Sequence, residues 1–195
     1  MQTLENAIKR KKHIRAIGFD DAPFEPDPGS PVNIAGVVCS NTRFEGMLWG
    51  CVQKDGNEAT EALTRLLKSS KFYEQVHVVL TDGVAVGGFN IIDLPRLSTN
   101  LNRPCIAVMR RNPDMDAIDK ALKNFADYAT RKQTLLKAGE VYSRGKYCFQ
   151  VNGCDPTTAA QTIELLTENG YIPEALRLAH LIGGAVITGQ SGNRA

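Results

Sequence analysis

The feature that most constrains this chain is an apolar run from Ile14 to Phe24 that carries two adjacent carboxylates, Asp20 and Asp21. The run shows little alternation of polarity, which is typical of a strand buried on both faces. Buried strands tolerate carboxylates poorly unless a partner compensates the charge. We therefore expect a central strand of an α/β domain, with acids at its tip that face a cleft, a cation or a helix N-terminus. The alternative is that the two acids only begin the following turn.

Length and composition are those of an ordinary globular protein. The chain has 195 residues, of which 43% are hydrophobic and 23% charged, so residues 1–195 are predicted to form a single domain. The net charge of +2 is too small to indicate binding to nucleic acid by itself, but the segment from Lys9 to Arg15 contains five lysines and arginines, counting both ends. Such a run is either a solvated face or a contact for a phosphate backbone.

The cysteines and the apolar segments indicate the compartment. Five cysteines are an odd number and none has CxxC spacing, which predicts buried thiols in a reducing compartment, without disulfides or a zinc site. The sequence contains neither a secretory leader nor an apolar run long enough to span a membrane. A cytoplasmic location is therefore expected.

The pattern beyond the first strand predicts a mixed sheet flanked by helices. A short turn joins two β-rich segments, which indicates an antiparallel hairpin, and buried strands after helices indicate parallel crossovers. The predicted strands are 14–20, 32–40, 43–53, 76–81, 104–109 and 147–151. The predicted helices are 3–12, 57–69, 90–97 with an interruption at Pro95, a helix capped by Asn112 with Met115 on its inner face, 156–168 and 173–187.

Three of these strands end on charged side chains. Asp20, with Asp21 beside it, follows the first strand, Asp82 follows the strand at 76–81, and Arg110 and Arg111 follow the strand at 104–109. If the strands are adjacent and parallel, these side chains emerge at the edge of the sheet where ligands bind in open α/β folds. Carboxylates at that edge suit Mg²⁺, and an arginine suits a phosphate or a developing anion.

The same motifs carry a resemblance to a known family. GFDDA at 18–22, LTDG at 80–83 with the GGFNIIDL that follows, and PCIAVMR at 104–110 resemble the archaeal endonuclease dU family, as does IPEALRLAHLI at 172–182. The resemblance covers nearly the whole chain. It implies an RNase H-like fold similar to endonuclease V and hydrolysis of DNA with Mg²⁺, or with Mn²⁺ in its place. The expected substrate is a phosphodiester near a deaminated base, deoxyuridine by the name of the family.

The resemblance also implies roles for individual residues. Asp20 and Asp82 match metal-binding acids of endonuclease V, and Arg110 or Arg111 falls near the position of a lysine in that enzyme. The segment that would form the pocket for the damaged base includes Gly83, Phe89, Asn90 and Ile91.

The sequence departs from endonuclease V at two places. It lacks the wedge motif and the glutamate that follow the hairpin, so the third acid is open among Asp21, Asp55, Glu58 and Glu61. No histidine clearly matches that of the final helix, because His180 lies at a core-like spacing from Leu176.

Two other functions are compatible with the sequence. One is a nuclease fold that binds nucleic acid or a partner without cutting. The other is a phosphoacceptor of the receiver type, in which Asp82 would be phosphorylated. The hairpin after the first strand argues against a receiver, whose strands and helices alternate throughout.

Overall fold

The computed structural model describes residues 4–192, so the ends of the expected domain, 1–3 and 193–195, lie outside the described residues. The nine strands are β1 (Arg15–Asp21), β2 (Pro31–Ser40), β3 (Arg43–Gln53), β4 (Val78–Asp82), β5 (Ala85–Val86), β6 (Asn90–Ile91), β7 (Cys105–Met109), β8 (Tyr142–Arg144) and β9 (Tyr147–Asn152) in this part of the chain. Over the same residues the helices are α1 (Leu4–Lys9), α2 (Ala59–Lys68), α3 (Leu94–Leu101), α4 (Met115–Leu122), α5 (Tyr128–Lys137), α6 (Pro156–Leu165) and α7 (Glu174–Thr188).

Seven strands form one mixed sheet in the order β3-β2-β1-β4-β7-β9-β8. The three central strands, β1, β4 and β7, are parallel, and the flanking strands pair antiparallel on both sides. The predicted mixed sheet with an antiparallel hairpin is thereby confirmed. A receiver would need strands and helices in strict alternation, and the β2–β3 hairpin excludes that arrangement.

Helices cover both faces of the sheet. Ile17 and Phe19 of β1 belong to a core that also contains Leu63 of α2 and Leu97 of α3. The opposite face buries Ala16 of β1 together with apolar residues of β4, β7, β9, α6 and α7. Consecutive residues of a strand point to opposite faces, so the lack of polar alternation in β1 follows from burial on both sides.

The backbone of α7 lies directly on β1. A Cβ atom added at Gly18 would stand 2.6 Å from the carbonyl carbon of Ala175 and from the nitrogen of Leu176. A real Cβ never approaches backbone atoms so closely, so this approach requires glycine at position 18. Farther along, Gly183 lies against Ala22, which follows β1, so α7 runs in the same direction as β1.

Several predicted helix boundaries were wrong. The helix expected at 90–97 begins only at Leu94, because Asp93 caps it by accepting a hydrogen bond from Arg96 N and Pro95 lies in its first turn. Likewise Asp114, and not Asn112, caps α4 by accepting from Ala117 N.

Two further predictions, on the burial of Met115 and on the number of strands, were also wrong. Met115 is 42% exposed and does not face the core. The strand β8 was not predicted, because it has only three residues.

The cysteines are all free thiols. Cys39, Cys105 and Cys148 are buried as predicted, whereas Cys154 is half-buried and Cys51 on the edge strand β3 is exposed. Burial raises the pKa of Cys39 and Cys154 to about 12, so both remain protonated near neutral pH. Among the described residues, no helix is long and apolar enough to cross a membrane.

Candidate active site

Asp20 and Asp82 lie side by side at the carboxyl ends of β1 and β4. The register pairs Gly18 with Leu80 and Phe19 with Thr81, so the next position along both strands brings Asp20 next to Asp82. Both side chains have the same parity as Gly18 and Leu80 and therefore leave the sheet on the α7 side. The structure thus brings together the two acids that the strand ends predicted.

The parity of β7 distinguishes the two arginines. Asp82 pairs with Val108, so Arg110, two residues later, lies on the same face as Asp82. Its Nη1 stands 3.6 Å from Asp82 Oδ2. Arg111 has the opposite parity, is exposed, and within residues 4–192 makes no ion pair with these acids.

His180 of α7 completes the group, and the prediction that it belongs to the core was wrong. Its Nδ1 lies 3.0 Å from Asp20 Oδ2, and its side chain is 35% exposed. Leu176 lies against Gly18. His180 is four helical residues beyond Leu176, a rise of about 6 Å, and Asp20 is two strand residues beyond Gly18, a rise of nearly the same length. The inner face of α7 therefore continues past the apolar core and reaches the strand-end acid.

Burial and mutual repulsion hold the acids at unusual pKa values. Burial, followed by the charges of Asp82 and Asp21, raises the pKa of Asp20 to about 8, although the Asp21 N–H and Arg110 oppose this. Burial also raises the pKa of Asp82, against the opposing effect of Arg110 and His180. Three carboxyl groups thus face one arginine, which leaves an excess of negative charge when all are ionised.

Asp21 is the candidate third acid that lies closest to this group. Burial raises its pKa, a hydrogen bond from Gly87 N lowers it, and the charge of Asp82 raises it further. Its Oδ2 accepts from Gly87 N at 2.6 Å, so the side chain also ties the β5–β6 segment to the strand end. We call residues 85–91, which contain β5 and β6, the ribbon.

The other candidates for the third acid have structural partners. Asp55 accepts from Phe89 N and from Lys54 Nζ, both at 2.8 Å. Although burial alone would raise the pKa of Asp55, these bonds hold it below its ordinary value. Glu58 accepts from two backbone N–H groups beside it, and Glu61 pairs with Arg96 at the surface.

The residues expected to form a base pocket do not share one environment. Gly83 follows Asp82 in a left-handed turn with φ of 75°, and a Cβ added there would meet Met109 Cγ at 4.0 Å. Phe89 packs on Phe125 with ring centroids 5.6 Å apart. The side chain of Asn90 is fully buried and bonds Ala59 N and Gln53 O, so it has no free edge for a base.

Ile91 likewise departs from the expected pocket. It is 7% exposed and packs in an apolar cluster with Leu122 of α4 and Leu135 of α5. Because Asn90 and Ile91 face the interior, neither side chain is available to a base bound beside Asp82.

A buried arginine holds the ribbon through hydrogen bonds to backbone carbonyl groups. Arg131 of α5 donates to the carbonyl oxygens of Phe89, Gly56 and Asp55 at 2.6, 2.9 and 2.8 Å. Its guanidinium also lies over the Phe125 ring at 4.5 Å. Sequence patterns gave no indication of this role, because the partners are backbone carbonyls distant along the chain.

The donors at the strand ends suit a hard divalent cation. Mg²⁺ prefers carboxylate oxygens, commonly takes only one or two of them, and keeps several waters. Asp20 and Asp82 supply such oxygens, and within residues 4–192 the basic side chains paired with them are Arg110 and His180. Within residues 4–192, no three acidic, histidine or cysteine side chains form a ready-made metal cage. The residues therefore fit an ion held by two carboxylates.

Comparisons with known proteins show which proteins this chain is similar to. A UPF0215 protein of Methanothermobacter thermautotrophicus is 37% identical over 186 residues, which cover 93% of this chain and 91% of the relative. A crystal structure of a protein of unknown function from Archaeoglobus fulgidus has a TM-score of 0.85 at 32% identity and covers 90% of this chain and 99% of that one.

More distant structures establish the fold class. Endonuclease V of Ciona intestinalis, crystallised with DNA containing an inosine, has a TM-score of 0.55 at 18% identity, with 87% of this chain and 84% of that chain covered. The fold is therefore RNase H-like, as predicted. The family model described as endonuclease dU matches residues 12–187. The chain belongs to the endonuclease dU family.

Proposed function

We propose that this protein is an endonuclease that uses Mg²⁺, or Mn²⁺ in its place, to hydrolyse a phosphodiester of DNA near a deaminated base, with deoxyuridine as the preferred lesion. The observation that carries the proposal is the adjacency of Asp20 and Asp82 at the ends of two parallel strands. Membership in the endonuclease dU family supports nuclease activity, and the family name supports the lesion. The fold shared with endonuclease V, which has been crystallised with DNA, supports DNA as the partner.

The charge of the site supports the proposed use of a metal ion. Ionised Asp20 is disfavoured by burial and by Asp82 and Asp21, which is why its pKa is raised to about 8. Asp20 and Asp82 would hold the ion, with Asp21 as the candidate third acid. A divalent cation bound there would supply Lewis-acid polarisation of a phosphoryl oxygen and activation of water.

The remaining side chains have separate tasks. Arg110, on the same face as the acids, balances charge on the scissile phosphate. His180 is positioned by Asp20, through its Nδ1, to accept or donate a proton at its other ring nitrogen. The damaged base leaves the stack and lies beside Gly83, at a lower cost where its pairing is already weak.

Cleavage of a uracil-containing oligonucleotide tests the proposal. Wild-type protein with Mg²⁺ should nick it, EDTA should stop the reaction, and Asp20→Asn and Asp82→Asn should each lose at least about 100-fold in rate. Asp116→Asn is the matched control, because Asp116 is an exposed acid on α4. Undiminished cutting by both site variants would falsify the assignment.

A binding module that does not cut is the second candidate. It is favoured by the lack of a ready-made three-donor cage among the described residues. It is also favoured by the structural bonds that occupy Asp55 and Glu58. DNA binding that weakens steeply with salt, without nicking in Mg²⁺ or Mn²⁺, would decide for this alternative.

A further inference from the structure

The edge strand β3 presents part of its backbone to the outside of the sheet. It has eleven residues and, within residues 4–192, pairs only with β2. The hydrogen bond from Ala22 N to Asn33 O shows that Asn33 of β2 directs its backbone groups towards β1. Asn33 pairs with Cys51, so the backbone groups of Cys51 point away from β2. This direction alternates along an antiparallel strand, so Trp49 and Met47 point outward as well.

The outward backbone groups of these three residues have no partner. Gln53 follows the same alternation, but its N–H donates to Glu58 and its carbonyl accepts from Gly56 N. The three N–H and three C=O groups of Met47, Trp49 and Cys51 make no hydrogen bond in the described part of the chain. We call these three residues the open edge. A row of open groups on an edge strand is a template for another strand.

The side chains along the open edge do not oppose such pairing. Residues 46–53 read GMLWGCVQ, without a charge or a proline. Met47 and Trp49 are half-buried on the α7 face, and Cys51 is exposed. Edge strands that stay unpaired are commonly protected by charge, proline or short length. The opposite edge strand β8 has this protection, because it has only three residues and ends on the exposed Arg144.

The open edge is complementary to a second copy of itself. In an antiparallel pair centred on Trp49, that residue faces its own counterpart, and Met47 faces Cys51 on both sides of the axis. Each of these three pairs exchanges two hydrogen bonds, so every open group finds a partner. Like charges do not meet, because Glu45 would face Gln53, whose outward groups are already bonded.

We propose that the protein forms a two-fold dimer by antiparallel pairing of β3 with β3 of a second copy, with Trp49 on the axis. This pairing uses the open edge of both copies and leaves only the protected β8 edges, so the assembly closes as a dimer. Paired residues of antiparallel strands lie on the same face of a sheet. Asp20 lies in one row with Ala35 and Trp49, so the acids of both copies would lie on the same side of the joined sheet. The dimer does not depend on the proposed nuclease activity.

Sedimentation velocity of the full chain over a concentration series tests the dimer. The wild type should move from 21.3 kDa towards twice this mass as its concentration rises. Cys51→Pro removes an outward N–H and leaves the bonds to β2 in place, as proline on an edge strand can. It should weaken dimerisation at least about tenfold, because each dimer loses two hydrogen bonds. Cys51→Ser keeps the N–H, so this matched control should dimerise like the wild type.

A charge swap on the axis tests whether the partner is a second copy in this register. Trp49→Lys and Trp49→Glu should each be monomeric, because like charges would meet on the axis, and an equimolar mixture of the two should regain the dimer. Far-UV circular dichroism checks that each variant keeps the fold, and the Cys51 pair decides if the Trp49 variants do not fold. A wild type that stays monomeric at every concentration would overturn the proposal and leave the open edge to a strand of another protein. A dimer that Cys51→Pro leaves intact would overturn it as well, since another surface would then hold the two copies.

Discussion

The close contact between α7 and β1 makes Gly18→Ala the most informative single substitution. The new Cβ would stand 2.6 Å from two backbone atoms of α7, whereas ordinary contact begins near 3.4 Å. The helix must therefore retreat by about 1 Å, because neither backbone can yield as a side-chain tip would. Overpacking of this kind costs about 1–3 kcal/mol of the free energy of unfolding.

The same displacement reaches the candidate active site. His180 lies on α7 with its Nδ1 3.0 Å from Asp20 Oδ2, and a retreat of about 1 Å takes that pair beyond hydrogen-bond distance. We expect a lower urea midpoint together with a shifted imidazole NMR signal for His180. Activity should fall as well, since the histidine leaves the acid.

Gly184→Ala is the matched control on the same helix. Its Cβ would meet no atom closer than 3.4 Å. Because alanine has a higher helix propensity than glycine, the free energy of unfolding should be unchanged or higher by up to about 1 kcal/mol. An unchanged urea midpoint and an unshifted His180 signal in Gly18→Ala would refute the account of how α7 is positioned.

Three other features of the structure can be tested by substitution: Arg131 under the ribbon, the buried Asp20, and Arg110 beside Asp82. Arg131→Met should lower the free energy of unfolding in urea by about 2–4 kcal/mol, because three carbonyls lose their donor, and Arg131→Lys should restore only part of it, since an ammonium cannot span them. The pKa of Asp20 is raised from 3.8 to about 8 in the fold, so metal-free stability should fall as pH rises between these values. Asp20→Asn should then be roughly 1–3 kcal/mol more stable than wild type near pH 8, and Mg²⁺ should narrow this difference in the free energy of unfolding. The same dependence of stability on pH in both proteins would contradict this. Arg110→Gln should reduce single-turnover cleavage about 10- to 100-fold and Arg111→Gln should not, because only Arg110 shares the face of Asp82.

The strand ends could be predicted from the sequence because their signal is local. Apolar runs that stop at Asp20 and at Asp82 indicate both the strands and the edge at which they end, and the parallel pairing then brings the acids together. The choice between Arg110 and Arg111 needed the register of β7, which no local pattern contains.

The missed residues depend on contacts between distant segments. His180 has the helical spacing of a core residue relative to Leu176, and only the closeness of α7 to Gly18 shows that this face passes the sheet edge and reaches Asp20. Asn90 was predicted to begin a helix and to line the base pocket, but it begins β6, and its buried side chain bonds Ala59 N and Gln53 O. Both outcomes are set by tertiary packing.

The central claim is that Asp20 and Asp82 together hold a divalent cation. Diffraction from crystals grown with Mn²⁺, with data collected to locate its anomalous signal, tests this claim most directly. We predict one peak in contact with a carboxylate oxygen of Asp20 and one of Asp82, and its loss in crystals of Asp82→Asn. Well-ordered carboxylates with no manganese between them, or a manganese ion bound only elsewhere, would contradict the claim.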